Sequence, residues 1–210
     1  MKYYRMLLKK PLRDFLRMSS DVFMDDRKIN YAFSSNGSPT VIFENGFCSG
    51  MSCMKYWDEV FLLLSNEFSL FTYDRVDEVL ENEAIEDRTK HLDETLGLLR
   101  RLLEYKELKG PYILVGHSLG GLYMQYFAQK YPNEVAGIVL VDATYPEADF
   151  EDSLLDKNIT QIGKTVLEIT ETIHKPMVLL SATQEALKNE KCAKANMVEQ
   201  SIEDQKKYAI

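Results

Sequence analysis

Residues 110–121 read Gly-Pro-Tyr-Ile-Leu-Val-Gly-His-Ser-Leu-Gly-Gly, and they are the most informative part of the chain about its architecture. Residues 112–115 form a short β-type run, and residues 122–128 are apolar on nearly every side, as in a buried helix. A sharp strand–turn–helix connection raises a serine hydroxyl above the end of a sheet and strains its backbone. The pattern therefore predicts Ser118 as a nucleophile. The alternative is a glycine-rich turn whose serine makes only local hydrogen bonds.

The neighbours of Ser118 fit the same interpretation. Gly116 and Gly120 flank it, and a side chain at either position would block the close packing of strand and helix. The backbone N–H of Leu119 is predicted to lie at the helix N-terminus, where an oxyanion can be held. Leu119 is therefore a candidate oxyanion donor.

Residues 111–146 closely resemble the α/β-hydrolase superfamily, in the branch that reads PYxLVGHSLGG and then YPxxVxGxVLVDAxxP. The resemblance extends over roughly residues 21–210. It implies an α/β fold with a mostly parallel, doubly wound sheet and a small helical cap insertion. It also implies a serine hydrolase that acts on an ester-like or other acyl substrate. No metal and no cofactor is expected, because acyl transfer by a serine needs none.

A second oxyanion donor is expected in the loop after the strand predicted at 40–44. That loop reads Glu-Asn-Gly-Phe, and Phe47 matches the family's donor position, although Asn45 stands where relatives often have histidine. The alternative is a simple tight turn. For the catalytic acid we favour Asp142, which follows the strand predicted at 135–141; Glu185, after the next strand, is the alternative.

The general base is harder to place. The base should be a histidine after the last strand, but no histidine follows His174. His174 precedes its strand, the His117 side chain should point away from the nucleophile, and His91 is predicted at a solvated or capping position. The resembled family would continue for another strand, the catalytic histidine and a final helix. We therefore expect a C-terminally truncated form, with a catalytically impaired fragment or pseudoenzyme as the alternative function.

Composition limits the partners. The net charge is −8, although the first 20 residues carry six basic residues and only one acidic residue. The rest of the chain is therefore strongly acidic, which argues against nucleic acid as a partner. The three cysteines, Cys48, Cys53 and Cys192, form no C-x-x-C pair, which predicts neither a disulfide framework nor a zinc site and favours a reducing, cytoplasmic location. No apolar run approaches the ~18 residues of a membrane span.

Two segments lie outside the hydrolase pattern. Residues 1–20 interleave leucines with basic residues, so they either contact an anionic membrane surface or pack locally as a helix. The remaining core, 21–210, contains a cap insertion at about 147–173, whose isoleucines recur at helical spacing and serve either core packing or a substrate wall. Residues 76–84 are rich in Asp and Glu, whereas relatives carry a glycine-bearing turn at this position. This loop borders the pocket in relatives, so their substrate preference cannot be assigned to this chain.

The order of the other predicted elements gives alternating strands and helices, hence a parallel sheet covered on both faces. Strands are predicted at 28–33, 40–44, 69–73, 112–115, 135–141 and 177–181. Helices are predicted at 54–64, 87–105, 122–128 and 193–208. Residues 177–181 then form an apolar edge, which predicts dimerisation or aggregation there, or cover by 193–208.

Overall fold

The computed structural model describes residues 11–48 and 52–181. Within these residues one sheet has the strand order β1-β2-β4-β3-β5-β6-β7. Five neighbouring strands, β4, β3, β5, β6 and β7, are parallel, whereas β2 is antiparallel to both of its neighbours, β1 and β4. The predicted mostly parallel α/β sheet is confirmed. The strands are β1 Ser19–Met24, β2 Arg27–Ser35, β3 Thr40–Glu44, β4 Ser69–Tyr73, β5 Tyr112–His117, β6 Val135–Val141 and β7 Met177–Leu180.

Helices cover both faces of this sheet. They are α1 Pro11–Met18, a 3₁₀ turn Met54–Trp57, α2 Asp58–Leu64, α3 Glu78–Asn82, α4 Arg88–Tyr105, α5 Leu119–Lys130 and α6 Leu154–Glu168. Side chains alternate between the faces along β3: Ile42 joins the larger core under α4, α5 and α6, whereas Val41 and Phe43 join the smaller core with α1 and α2. The sheet is therefore doubly wound.

Helix α4 shows how local sequence sets an element. Its leucine stripe at positions 92, 96, 99 and 103 is buried, as the spacing predicts. Asp87 accepts the Lys90 N–H at 2.9 Å, so the helix starts one residue after its aspartate cap. Helix α5 is buried at every residue from Leu119 to Ala128, in agreement with its uniformly apolar sequence.

The order of the strands in the sheet departs from their order in the sequence. The strands on either side of residues 34–39, β2 and β3, are not neighbours, because β4 lies between them. All five residues of β3 are buried, and such a strand belongs in the interior of a parallel sheet rather than in a hairpin. The pattern also missed strand β1 and the short helix α3 within the acidic segment.

The N-terminal segment, where the structure describes it, packs locally. Phe15 is 1% exposed, and its ring meets Phe61 of α2 edge-on at 5.4 Å. Leu16 is exposed. Residues 1–10 lie outside the described residues. Within the described chain, no helix combines the length and the apolar character needed to cross a membrane.

The cap insertion contributes α6 between β6 and β7. Ile162 and Val166 are buried in the larger core, and Ile159, Ile169 and Ile173 pack against it, so the isoleucine face is core packing. Buried Asn158 joins α6 to the acidic segment: its side-chain amide donates to Leu80 O at 2.9 Å and to Glu83 O at 2.8 Å. The helix predicted at 193–208 and Glu185 lie outside the described residues.

Candidate active site

Ser118 lies where β5 ends and α5 begins. Its backbone has φ 49° and ψ −123°, a conformation that residues with a Cβ rarely adopt. Such backbone strain persists only where the surroundings enforce it, and it concentrates at functional sites. The predicted position of Ser118, between a strand and a helix, is the one observed.

Close packing around Ser118 leaves no room for side chains at the flanking glycines. A Cβ on Gly116 would lie 2.7 Å from both Gly120 O and Gly121 Cα. A Cβ on Gly120 would lie 2.5 Å from the carbonyl oxygens of Glu44 and Asn45. The start of α5 therefore touches both β5 and the end of β3, which brings the two loops of the predicted oxyanion site together.

The Ser118–Leu119 peptide is fixed through its carbonyl. Ser118 O accepts the Gly121 N–H at 2.9 Å and the Thr144 N–H at 3.0 Å. In a trans peptide the N–H points opposite to the C=O, so these two bonds also fix the direction of the Leu119 N–H. As the first residue of α5, Leu119 has no carbonyl of its own helix to which its N–H could donate.

The loop after β3 lies directly against the serine. A Cβ on Gly46 would be 3.2 Å from Ser118 Cβ and 3.1 Å from His117 Nδ1, closer than most Cβ contacts, so the loop is packed tightly here. Phe47 follows Gly46 and is half-buried. The carbonyl of the Gly46–Phe47 peptide accepts a hydrogen bond from Arg75 Nη2 at 3.2 Å.

A buried ionic cluster also holds this loop. The Arg75 side chain is 2% exposed, and it pairs with Glu44 and with Asp77. Burial lowers the pKa of Arg75, but the carboxylates of Asp77 and Glu44 outweigh it and raise that pKa well above its usual value. Burial is the main cause that raises the pKa of Glu44 to about 7, opposed by the Arg75 charge and supported by Asp77.

Asp142 occupies the turn after β6, next to the serine. Ser118 N–H donates to Val141 O at 3.3 Å, and Asp142 N–H donates to Leu180 O at 2.7 Å. Asp142 has φ 43° and an exposed side chain. The structure thus brings Asp142 to the same end of the sheet as Ser118, whereas the alternative acid, Glu185, lies outside the described residues.

No histidine among the described residues is hydrogen-bonded to Ser118. The prediction that His91 is solvated or caps a helix is wrong, because it is half-buried and its Nε2 lies 2.8 Å from Tyr123 Oη. The His117 ring meets Trp57 edge-on at 6.4 Å. Desolvation lowers the pKa of His117, and the Asp142 carboxylate partly opposes this shift. His174 is exposed and precedes β7.

The sequence profile of a protein family described as alpha/beta hydrolase fold matches residues 39–161, more than half of the chain. The chain belongs to this α/β-hydrolase family. The matched range contains Ser118, Asp142, the loop after β3 and the start of the cap insertion.

Relatives of this α/β-hydrolase chain are found among both sequences and structures. The chain is 29% identical over 146 residues to the uncharacterized protein YbdG of Bacillus subtilis, covering 69% of this chain and 44% of that protein. It is 30% identical over 145 residues to 2-(acetamidomethylene)succinate hydrolase of Mesorhizobium japonicum, covering 65% of this chain and 49% of that enzyme. The match therefore spans less than half the length of either relative. Alpha/beta hydrolase domain-containing protein 10 from mouse shares the fold, with a TM-score of 0.55, 19% identity, and coverage of 78% of this chain and 76% of that one.

One positioning residue in this α/β-hydrolase chain escaped the sequence analysis. Asn45 Nδ2 donates to Tyr73 O at 2.8 Å, and Asn45 Oδ1 accepts the Trp57 indole N–H at 2.7 Å. The residue replaces the family's usual histidine, and it ties the end of β3 to β4 and to the smaller core. The departure from the family pattern was the available signal, but nothing in the sequence revealed the partners.

The sequence pattern predicted no disulfide framework, and it missed one local pair. Cys48 and Cys53 form a disulfide, with their Cα atoms 6.2 Å apart, a separation at which cysteines can be bridged. An odd cysteine count does not exclude a single local pair, and the loop after Phe47 brings these two together. Cys192 lies outside the described residues.

A cleft of about 1680 Å³ opens beside Arg75, between the β1–β2 turn and α4. Ser118 is not among its lining residues, and charges of both signs line it, for example Arg27, Asp87 and Lys90. We therefore do not assign it as the acyl pocket. Among the described residues, no group of three or more His, Cys, Asp or Glu side chains is arranged to hold a metal ion.

Proposed function

We propose that this protein is a serine hydrolase that acts on ester-like or other acyl substrates through Ser118. The observation that carries the proposal is the orientation of the Ser118–Leu119 peptide. The carbonyl of that peptide is held by Gly121 and Thr144, so its N–H is directed before any substrate arrives. A preorganised donor at a helix N-terminus is the arrangement that stabilises a tetrahedral oxyanion.

The loop after β3 supports the same proposal. Gly46 lies against the serine, and the next N–H, that of Phe47, belongs to a peptide whose carbonyl points to Arg75. Phe47 and Leu119 then provide the two donors that acyl transfer needs. The relative from Mesorhizobium japonicum is named as a hydrolase, which agrees with a hydrolytic reaction but does not identify this chain's substrate.

In the proposed reaction, Ser118 Oγ attacks the acyl carbon and forms a new C–O bond, while the carbonyl electron pair moves onto the oxygen. The Phe47 and Leu119 N–H groups stabilise that oxyanion. Collapse breaks the bond to the leaving alcohol, which takes up the serine proton through a general base. Water then hydrolyses the acyl-enzyme, which restores Ser118 and releases the acid. Asp142 is the proposed carboxylate that orients the base.

The second candidate function is a protein that keeps the substrate pocket but lacks catalytic power. The observation that favours it is the position of the three histidines, none of which is hydrogen-bonded to Ser118 among the described residues. Without a base, the serine hydroxyl is a weak nucleophile. Both candidates share Ser118 and the two donors, so they differ in rate rather than in the identity of the reacting residue.

Prolonged labelling with a fluorophosphonate, followed by peptide mass spectrometry, tests the proposal. We expect one slow covalent adduct, located on Ser118, and none in Ser118→Ala. Ser35→Ala, which removes an exposed hydroxyl at the end of β2, is the control and should label like the wild type. Labelling at another residue, or none at Ser118 after long incubation, would overturn the proposal.

A further inference from the structure

Every N–H of the buried Arg75 guanidinium has an acceptor. Nε donates to Asp77 Oδ1 at 2.5 Å, and Nη2 donates to Asp77 Oδ2 at 2.8 Å and to Gly46 O at 3.2 Å. Nη1 donates to Glu44 Oε1 and to Asn45 O, the latter at 3.0 Å. Arginine has five N–H donors in a rigid fork, and here all five are used.

Stability alone does not account for this cluster. A buried ion pair loses its hydration, and apolar replacements of similar volume are often neutral or stabilising. Two of the five bonds of Arg75 go to backbone carbonyls of one loop, those of Asn45 and Gly46. Arg75 therefore holds a specific backbone conformation rather than only neutralising two carboxylates.

The cluster holds both sides of Phe47. Before it, Gly46 O accepts from Arg75; after it, the Cys48 N–H donates to Asp77 Oδ2 at 3.1 Å. Because Asp77 is itself paired with Arg75, the two side chains act as one clamp on the residues flanking Phe47. Gly46 O precedes Phe47 in the chain and the Cys48 N–H follows it, so the clamp limits rotation about the backbone bonds of Phe47.

The direction of the Phe47 N–H follows from peptide geometry. The Gly46–Phe47 bond is trans, so its N–H points away from its C=O. That C=O faces Arg75, which lies over the Tyr123 ring with Cζ 4.3 Å from the ring centroid. A Cβ on Gly46 would lie 3.2 Å from Ser118 Cβ, so the loop packs against the serine as well as against the arginine.

We propose that Arg75 is a positioning residue that orients the Phe47 N–H toward the oxyanion formed at Ser118. The proposal rests on the proposed function, since it takes Phe47 as an oxyanion donor. Arg75 touches neither substrate nor reacting atoms and acts only through the Gly46–Phe47 peptide. Tyr123 lies on α5, the helix that begins at Leu119, so one helix both provides one donor and supports the arginine that orients the other.

The test compares Arg75→Lys with Arg100→Lys by ¹⁵N relaxation of the full chain. Lysine keeps the charge but cannot donate to two carboxylates and two carbonyls in one plane. Arg100 is the matched control, because its guanidinium also lies 4.3 Å over a tyrosine ring, that of Tyr131, and pairs with Glu134 at the surface. We expect the Phe47 amide order parameter to fall from about 0.85 to below about 0.6 in Arg75→Lys only.

The order parameter at Leu140, which is buried on β6, should stay unchanged in both variants. If Phe47 stays as rigid in Arg75→Lys as in the wild type, or if Leu140 loosens equally, the proposal is overturned. Should Arg75→Lys fail to fold, Asp77→Asn weakens the same clamp with little change in shape. It should lower the order parameter at Phe47 and leave that at Leu140 unchanged, and an unchanged Phe47 would again overturn the proposal.

A kinetic arm separates this proposal from the proposed function. In Arg75→Lys the maximal rate of fluorophosphonate labelling at Ser118 should fall at least ~10-fold, whereas the concentration for half-maximal rate stays within about twofold, since a misdirected donor affects the transition state and not initial binding. Absence of labelling in the wild type would refute the function, while the Phe47 order parameter would still decide the role of Arg75. An unchanged maximal rate with a mobile Phe47 would overturn the proposal.

Discussion

The carbonyl of Ser118 accepts the amide of Thr144 at 3.0 Å, which joins the turn after β5 to the turn after β6. The Ser118 N–H bonds Val141 O at 3.3 Å in the opposite direction, so the two bonds bracket Asp142. A shift of that turn would therefore rotate the peptide that carries the Leu119 N–H. Two backbone hydrogen bonds therefore couple the positions of the proposed nucleophile Ser118, the proposed acid Asp142 and the proposed oxyanion donor Leu119.

Gly116→Ala should destabilise the protein. Its new methyl would lie 2.7 Å from backbone atoms of Gly120 and Gly121, which cannot yield as a side chain can, so we expect the free energy of unfolding to fall by about 1–3 kcal/mol or more. Gly97→Ala is the matched control. It lies within α4 with only the Arg101 guanidinium near its Cβ, at 3.4 Å, and should gain about 0.5–1 kcal/mol. Urea denaturation measures both, and an equal effect at the two sites would contradict this packing.

Glu44→Gln should change how stability depends on pH. Burial raises the pKa of Glu44 from 4.5 to about 7, so between these values the folded state binds more protons than the unfolded state. The contribution of Glu44 is then complete below about 4.5 and is lost as the pH rises to about 7, at up to about 1.4 kcal/mol per pH unit. Glutamine mimics the protonated form and should remove this loss.

Urea titrations between pH 4.5 and 7.5 measure the effect. The difference in unfolding free energy between Glu44→Gln and the wild type should grow with pH across this window. Glu59→Gln, on the exposed side of α2, is the control and should follow the wild type. Parallel curves for Glu44→Gln and the wild type would mean that Glu44 stays ionised throughout beside Arg75.

Asn158→Ala should separate the cap helix from the acidic segment. The Asn158 side chain bonds Leu80 O, Glu83 O and the Ile85 N–H, the last at 3.1 Å. Removing it takes this partner from one buried backbone group, Leu80 O, and from two partly buried ones, so we expect a loss of about 2 kcal/mol of unfolding free energy. Lys157→Ala, exposed on the same helix, should stay within about 0.5 kcal/mol. A small effect at Asn158 would show that water replaces all three bonds.

Local patterns predicted the parts of the fold that follow from periodicity and turn chemistry. The leucine stripe predicted both helix α4 and its buried face, because side-chain spacing determines them directly. The glycines around Ser118 predicted the close approach of β5 and α5. The isoleucine stripe of α6 was also recognised from its spacing. Whether it faces the core or a substrate pocket depends on the elements that pack against α6, which the spacing does not show.

The clamp on the oxyanion loop was not predictable in this way. Arg75 and Asp77 follow β4, whereas Glu44 ends β3 and Gly46 follows it. Only the parallel pairing of these two strands brings the four residues together. The partner of His91 was missed for the same reason: Tyr123 lies on another helix. Contacts between distant segments depend on the tertiary fold, which a single sequence does not reveal through spacing.

We predict self-association along β7. Within the described residues, β7 is the last strand of the sheet, and its Val178 and Leu180 side chains are 51% and 52% exposed. An unpaired apolar strand edge pairs readily with another chain, and lysine on such an edge opposes it. Sedimentation velocity should therefore detect dimers or larger species that Val178→Lys reduces. Leu167→Lys, similarly exposed on α6, is the control; a monomeric wild type would contradict the prediction.

The position of the histidines sets the expected catalytic rate. Loss of the base from a serine triad costs roughly a million-fold in kcat, yet the oxyanion donors and binding still leave about 10³–10⁴ over water. No histidine among the described residues is hydrogen-bonded to Ser118. We therefore expect this chain to hydrolyse p-nitrophenyl acetate at no more than a trace rate, which Ser118→Ala changes little; this outcome would favour the second candidate function over the first.

A rate on the order of 1 s⁻¹ or more, typical of an enzyme, that Ser118→Ala abolishes would contradict this expectation. It would mean that a base reaches Ser118 in the working protein. His91→Ala, His117→Ala and His174→Ala would then identify it. The three histidines lie in different surroundings. His91 contacts Tyr123, and His117 lies beside Gly46 and Trp57. His174 is exposed and precedes β7. A loss confined to His117→Ala would require its ring to leave Trp57 and turn toward the serine, because the ring now meets that indole edge-on.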